Sequence, residues 1–309
     1  MLGPNRWEPT RQTLNTVVTL DDEVAAEIAI TETQSGNITL TVADGLTPDQ
    51  RRLVRLAVTR MLRLNENLAP FHKLCRQSPS HRQAAQLRFG RLLRSSCLFE
   101  DMVKVVCTCN VTWRQTVTMV ENLVNHWGVP VHVEMSLRRP GKPRSAGLRR
   151  RRGFPTPQRL ARVSPTQLKQ KARVGYRAPF IHRLARQVAD GTLDLDAMEQ
   201  FEGTSDELFR MLRRLHGIGD YAASHLCMLL GRYDRLAVDT EMMRFLSEKY
   251  PKHQWTPGAM KKHYVHWHPF QFLAYWFELW CGYVAQHGQS DQWGLESVGR
   301  RITRKRKTT

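Results

Sequence analysis

The stretch from Leu215 to Thr240, LHGIGDYAASHLCMLLGRYDRLAVDT, constrains this chain more than any other. Gly217-Ile218-Gly219 predicts a tight hairpin between two helices. Glycines permit backbone angles closed to other residues, and the turn leaves N–H groups free at the start of the next helix, where a phosphate can bind. Ala222 and Ala223 are small enough for that helix to pack closely on its neighbour. Asp239 then stands in the phrase Leu-Ala-Val-Asp-Thr, after the second helix and a short loop. Aspartate at a helix start is an ordinary cap. The same position also aims a carboxylate at any pocket beside the phosphate site. A carboxylate there can stabilise positive charge on a sugar ring or orient a water. Cleavage of an N-glycosidic bond passes through an oxocarbenium-like state, so such an anion contributes most in the transition state.

Charge points to the partner. Lys and Arg number 47 against 28 Asp and Glu, a formal net charge of +19 in 309 residues. The natural partner of such a chain is a polyanion, with nucleic acid ahead of an anionic membrane surface. No apolar run is long enough to span a bilayer, and the opening MLGPNRWEPTRQTL has no apolar secretory core. The six cysteines form no Cys-x-x-Cys pair and read as reduced thiols. An intracellular protein is expected, in cytoplasm and nucleoid, or in the nucleus of a eukaryote.

Two periodicities divide the chain. Residues 14–43 alternate in the manner of strands, with Glu27–Thr31 and Ile38–Val42 joined through a turn at Ser35-Gly36-Asn37. From Thr47 the period becomes helical: Thr47 reads as an N-cap, Pro48 as the first helical residue, and Leu53, Leu56, Ala57, Met61, Leu62 and Leu64 as the apolar stripe. Two helices are predicted between Leu92 and Trp127, broken near Cys109-Asn110-Val111-Thr112. Residues 136–153 carry Arg138, Arg139, Lys142, Arg144, Arg149, Arg150, Arg151 and Arg152 without an acid, which predicts a flexible basic loop. A second basic run, Arg300 to Lys307, closes the chain. Both are expected to reinforce phosphate binding.

These segments together resemble the helix-hairpin-helix DNA glycosylase superfamily, in particular its 3-methyladenine glycosylase II and 8-oxoguanine glycosylase branches. The resemblance covers most of the chain. It rests on Gly90–Arg94 with Phe99–Asn110, on Gly175-Tyr176-Arg177-Ala178, on Leu215–Ala223, and on Val238-Asp239-Thr240, all in family order. It implies a mostly α, bilobal helical HhH-GPD glycosylase fold with a small N-terminal β-rich domain. The expected domains are residues 1–85, the helical domain 86–297 containing the basic loop, and the tail 298–309. It further implies a monomer that binds double-stranded DNA and flips a nucleotide out of the duplex.

On this resemblance Asp239 is the catalytic carboxylate. Gly217, Ile218 and Gly219 hold the DNA backbone, helped by Arg149 and Arg150, and Asn110 enters the gap left by the flipped base. The base pocket is expected from Tyr221, Phe270, Tyr275 and Trp276. No cofactor is implied, apart from a structural monovalent cation on the hairpin carbonyls. Family members that also cut the strand carry a lysine two residues past the second hairpin glycine. Here that residue is Tyr221, and no lysine lies between Leu215 and Asp239. The expectation is therefore a monofunctional enzyme in which water attacks. Cys281 is the only cysteine after Asp239, so the four-cysteine iron–sulfur box of another branch is absent. An electron-rich aromatic pocket suits a cationic alkylated purine of the 3-methyladenine type. The alternatives are a glycosylase for an oxidised or bulky modified base, including modified foreign DNA, and a non-catalytic DNA binder. His263, His266 and His268 have no supporting carboxylate nearby and are expected to be ordinary exposed histidines rather than a metal site.

Overall fold

The computed structural model describes residues 1–137 and 151–288. Four short strands come first: β1 (Arg6–Glu8), β2 (Thr13–Thr19), β3 (Ala25–Glu32) and β4 (Ile38–Val42). They form one antiparallel sheet in sequence order, with Leu14 opposite Ile30 and Ile28 opposite Val42. Alternation gives the sheet two apolar faces. Leu14, Val18, Ala26, Ile28 and Ile30 pack against the first helix, α1 (Pro48–Met61). Val17 and Ala25 pack against Val129 and Val131 of the helical body.

Thr47 and Gln50 close a full capping box at the start of α1, with Pro48 behind the cap. The buried face of α1 differs from the predicted stripe. Val54, Val58 and Met61 are buried, while Leu53 and Leu56 are 40% and 55% exposed. Short β-branched side chains let the helix approach the sheet, and the longer leucines are left outside.

Thirteen further helices follow among the described residues: α2 (Ala69–Gln77), α3 (Arg82–Gln86), α4 (Leu98–Thr108), α5 (Trp113–Trp127), α6 (Pro157–Ala161), α7 (Pro165–Gln167), α8 (Ala178–Ala189), α9 (Leu195–Glu199), α10 (Ser205–Arg213), α11 (Asp220–Leu229), α12 (Thr240–Lys249), α13 (Pro257–His263) and α14 (Gln271–His287). They build two cores. The first gathers α4, α5, α8, α10 and α11 around Met102, Leu123, Ile181, Leu212 and Leu226. The second gathers α2, α12 and α14 around Phe71, Met242, Leu246, Tyr264 and Phe277. Residues 68–84, grouped by sequence with the N-terminal strands, contribute Leu68, Phe71, Cys75 and Ala84 to this second core. Among the described residues no helix is long and apolar enough to cross a membrane, and all six cysteines are free.

The predicted basic loop is anchored at its ends. Leu137 N–H donates to Glu27 Oε2, Arg151 pairs with the same carboxylate at 2.7 Å, and Arg152 Nη1 donates to the Gly128 carbonyl. Glu27 is 110 residues or more away in sequence, so local composition could not show these partners. Arg149 and Arg150 lie outside the described residues.

The sheet domain, the two cores and α9 meet at the C-terminal end of α1. Arg60 pairs with Asp101 of α4 at 2.8 Å and with Glu199 of α9 at 2.7 Å. Arg94 joins the same two carboxylates. Arg63 donates to the carbonyls of Leu92, Met228 and Leu229. Removing one member of a buried ionic group leaves its partners charged and dry, which costs about 3–5 kcal/mol. Arg60→Ala is expected to lose stability on that scale, seen as a lower urea midpoint with an unchanged slope.

Candidate active site at the seam between the cores

Between α10 and α11 the chain makes the predicted hairpin. Gly217 has φ +85°, and an added Cβ would lie 2.4 Å from Phe180 Cγ. Its glycine is demanded by the fold. Gly219 has an ordinary φ of −85°, and a Cβ there would meet nothing within 4 Å. The fold leaves open space at this second glycine, at the N-cap of α11. Ile218 is buried in the first core. Its carbonyl, one of the hairpin carbonyls on which a monovalent cation was expected, accepts a hydrogen bond from Arg213 Nη1 at 2.8 Å. The same guanidinium pairs with Asp220 at 2.5 Å. It thereby neutralises the exposed acid beside the free amides.

Asn110 lies in the break between α4 and α5, with a left-handed φ of +52°. Its amide donates to the Tyr176 hydroxyl at 3.3 Å. Tyr176 is 54% exposed, and the sequence reading gave it no role of its own. Beneath both lies the buried Arg177, which donates to the carbonyls of Val106, Val174 and Cys109 and caps the end of α4. Its guanidinium also lies 4.4 Å from the Tyr176 ring centroid. Tyr176 contacts Phe180, and Phe180 contacts His216 of the hairpin. The turn and the hairpin therefore form one rim.

Asp239 caps α12, accepting the Met242 N–H at 2.8 Å. Burial raises its carboxyl above the ordinary 3.8, the Glu241 carboxylate adds to this, and the Met242 and Glu241 N–H groups oppose it. Two phenols feel its charge from opposite sides of the seam. Tyr221 on α11 is pushed up to about 12 by burial, with Asp239 adding. Tyr275 on α14 is raised well above 10 by burial and then by Asp239. A row of rings links them: Tyr221 to His225 (4.4 Å), His225 to Phe272 (6.3 Å), and Phe272 to both Tyr275 and Trp276 (6.2 Å each). Trp276 stacks on Phe272 at 15° and stays 38% exposed. The Phe272 N–H donates to the Tyr233 carbonyl, which ties α14 to the segment leading to Asp239.

The structure thus brings Asp239, Tyr221 and Tyr275 together, with Trp276 one ring further out on Phe272. Phe270 stands apart from this row, with its ring 5.6 Å from Phe71 in the second core. His225 and Phe272 were missed by sequence reasoning. His225 follows Tyr221 by four residues, and Phe272 precedes Trp276 by four, so helical spacing was the available signal. His263 packs among Tyr250, Trp255 and Tyr264. Among the described residues no three His, Cys, Asp or Glu side chains gather where a metal could sit. A separate cleft of about 420 Å³ between α12 and α14, lined by Arg244, Phe245, Glu248, Glu278 and Tyr283, does not include Asp239.

Two stability outcomes follow from this geometry. Gly217→Ala imposes both strain and a clash and is expected to cost about 1–3 kcal/mol or more. Gly219→Ala should cost no more than about 1 kcal/mol, the scale of a weakened helix cap; thermal melting separates the two. A carboxyl with a raised folded-state pKa holds a proton longer in the fold than in the open chain. Its contribution to stability therefore falls as pH rises from 3.8 through the raised value. At neutral pH the ionised Asp239 weighs against folding. Asp239→Asn, which retains a capping side chain, is expected to melt at or above the wild-type temperature.

The HhH-GPD family, described as a superfamily of base excision DNA repair proteins, matches residues 103–269, more than half of the chain. The fold is similar to that of MBOgg1 in complex with a low-affinity DNA ligand, at TM-score 0.69 and 18% identity over 92% of this chain and 89% of the other. It is also similar to the 3-methyladenine DNA glycosylase from Archaeoglobus fulgidus, at TM-score 0.68 and 16% identity over 90% and 89%. A third similar structure is the apo 8-oxoguanine glycosylase/lyase of Clostridium acetobutylicum, at TM-score 0.66 and 14% identity over 89% and 88%. With the hairpin, the capped Asp239 and the matching residues in place, this chain belongs to the HhH-GPD superfamily of base excision DNA repair proteins.

Proposed function

We propose that this protein is a monofunctional DNA N-glycosylase that extrudes a modified base from duplex DNA and hydrolyses its N-glycosidic bond, leaving an abasic site. The observation that carries the reading is the Asp239 carboxylate, half-buried at a helix start between Tyr221 and Tyr275, with Tyr221 where a strand-cutting enzyme has its lysine. A DNA phosphate docks on the free amides at Gly219, where the absent side chain leaves room. Arg213 removes the repulsion that Asp220 would exert on it. Asn110 and Tyr176 stand on the same rim and fill the gap in the stack.

The base lies along the ring row ending at Trp276. As the bond from C1′ to the base nitrogen breaks, its electron pair leaves with the base. Positive charge develops on the sugar, and Asp239 stabilises it. Water then bonds to C1′ and gives up a proton. A ring-alkylated purine is the leading substrate class. Its positive charge is favoured by the π faces of the row, and cleavage neutralises it, so no protein acid is needed. Tyr221 stays protonated at neutral pH, with its phenol near 12, and forms no Schiff base. An oxidised, uncharged base is the second reading, favoured by His225, a polar group within the row.

The test uses methylated duplex DNA, with released bases identified by mass spectrometry and borohydride added to a parallel reaction. Wild type should release 3-methyladenine or 7-methylguanine without a trapped adduct. Asp239→Asn should lose about 10²–10³ in rate, the usual effect of removing one preorganised electrostatic group. A trapped adduct would mean an amine attacks in place of water. The single-turnover rate should fall as pH drops through the Asp239 pKa, with the acid limb above 3.8. Gly219→Ala should weaken duplex binding in a fold that stays intact.

A further inference from the structure

Glu241, in the first turn of α12, stands two residues past Asp239, and the reaction above does not use it. Its carboxylate is gripped from two sides. Arg244, one turn on, donates to it through Nε at 3.0 Å and through Nη2 at 2.5 Å. The Tyr283 hydroxyl of α14 donates to its Oε1 at 2.7 Å. An acid at a helix start paired with an arginine three residues on is ordinary, and at 33% exposure such a pair adds little stability. That account leaves out Tyr283, which reaches across from another helix. Tyr283 lies two turns beyond Tyr275 on α14, and Phe245, one turn beyond Glu241 on α12, packs against Tyr275 at 6.1 Å. Lys249 at the far end of α12 pairs with Glu278 at 3.0 Å. The two helices are thus tied near both ends of α12. Beside these ties the cleft of about 420 Å³ leaves part of their boundary unfilled. Where packing is incomplete, a fixed hydrogen bond decides the spacing that close contact would otherwise decide.

We infer that Glu241 is a positioning residue for the reaction: clamped by Arg244 and Tyr283, it fixes the Asp239 end of α12 against the helix that carries Tyr275 and keeps a second negative charge beside Asp239. The inference rests on the glycosylase reading and adds to it a residue that acts through Asp239. The Tyr275 phenol feels Asp239, Glu241, Tyr283 and Tyr221, so these groups are near neighbours. Asp239 is faced by Glu241 from its own helix, by the Tyr221 phenol from α11 and by the Tyr275 phenol from α14. Both phenols are uncharged at neutral pH, which leaves Glu241 as the charge that Asp239 meets. Arg244, paired with Glu241, offsets part of that charge and lets Asp239 ionise beside it.

The test uses Glu241→Ala, Tyr283→Phe, the double variant and Glu241→Gln. Three quantities are measured for each: single-turnover base release from methylated duplex, affinity for a duplex carrying an abasic analogue, and titration of the Asp239 carboxyl carbon by NMR. The Asp239 signal is assigned by its loss in Asp239→Asn. Glu241→Ala and Tyr283→Phe should each slow release about 10- to 100-fold, the scale of a slightly misplaced reacting group, with abasic affinity unchanged. The double variant should lose little more than Glu241→Ala alone, because both changes break one tie. Glu241→Gln keeps an acceptor for Tyr283, and Arg244 stays held by Glu248 at 2.5 Å. It should lose less rate. Removal of the charge should lower the pH at which Asp239 titrates and move the acid limb of release down with it. Wild-type rates in both single variants, losses that multiply in the double variant, or an unmoved Asp239 titration in Glu241→Gln would make Glu241 an ordinary helix-start acid and overturn the inference. Should Glu241→Ala melt early, Tyr283→Phe, which removes one oxygen, decides the rate question. A wild type that releases no base would sink the glycosylase reading alone, and the Asp239 titration would still decide for or against Glu241.

Discussion

The fold depends on a cluster of arginines at the end of α1. Arg60, Arg63 and Arg94 are largely buried, and each is spent on groups from other parts of the chain. A dry guanidinium is tolerable only beside opposite charge or carbonyls, and Arg60 Nη2 and Arg94 Nε are held to Asp101 by charge without an aligned hydrogen bond, so the cluster specifies where α4, α9 and the end of α11 must lie. The small sheet domain is thus fastened to the helical body by more than its apolar faces. It supplies the helix on which both cores are registered. Tyr233, just before the segment carrying Asp239, donates to Glu66 beyond the end of α1 and extends the same junction toward the site.

Asp239 shows why the site falls where it does. α11 belongs to the first core, and α12 and α14 to the second. A carboxylate well inside either core would have no room for a substrate. One on the surface would be screened by water. At the seam it is dry enough for its charge to be felt by two tyrosines and still opens onto a row of rings that reaches solvent at Trp276. The raised pKa marks a placement that costs stability at neutral pH, which fits the role proposed for Asp239.

Much of this was legible in the residues. The hairpin glycines, the Thr47-Pro48 start, the break at Asn110 and the cap at Asp239 are local signals, set by backbone angles and short hydrogen bonds. What was not legible depends on distant partners. Either stripe on α1 fits a helical period, and only the sheet's shape selects Val54 and Val58 over Leu53 and Leu56. Arg151 reads as a free charge until Glu27 is folded against it. Residues 69–77 carry no mark that assigns them to the second core. Phe270 and Phe272 are indistinguishable in composition, and their places differ only by the angle between two residues at the start of a helix.

The hydrogen bonds from Arg63 to the last carbonyls of α11 have a consequence for how the site is used. They hold the link between the two cores to the sheet domain, so the seam cannot gape without breaking buried contacts. That junction sets the spacing of the two walls that flank Asp239. On the proposed reading, the work of recognition falls on the nucleotide, which must leave its stack to be tested, and a base that does not fit returns to the helix before any bond is at risk. Selection of this sort is set by the residence time of the guest.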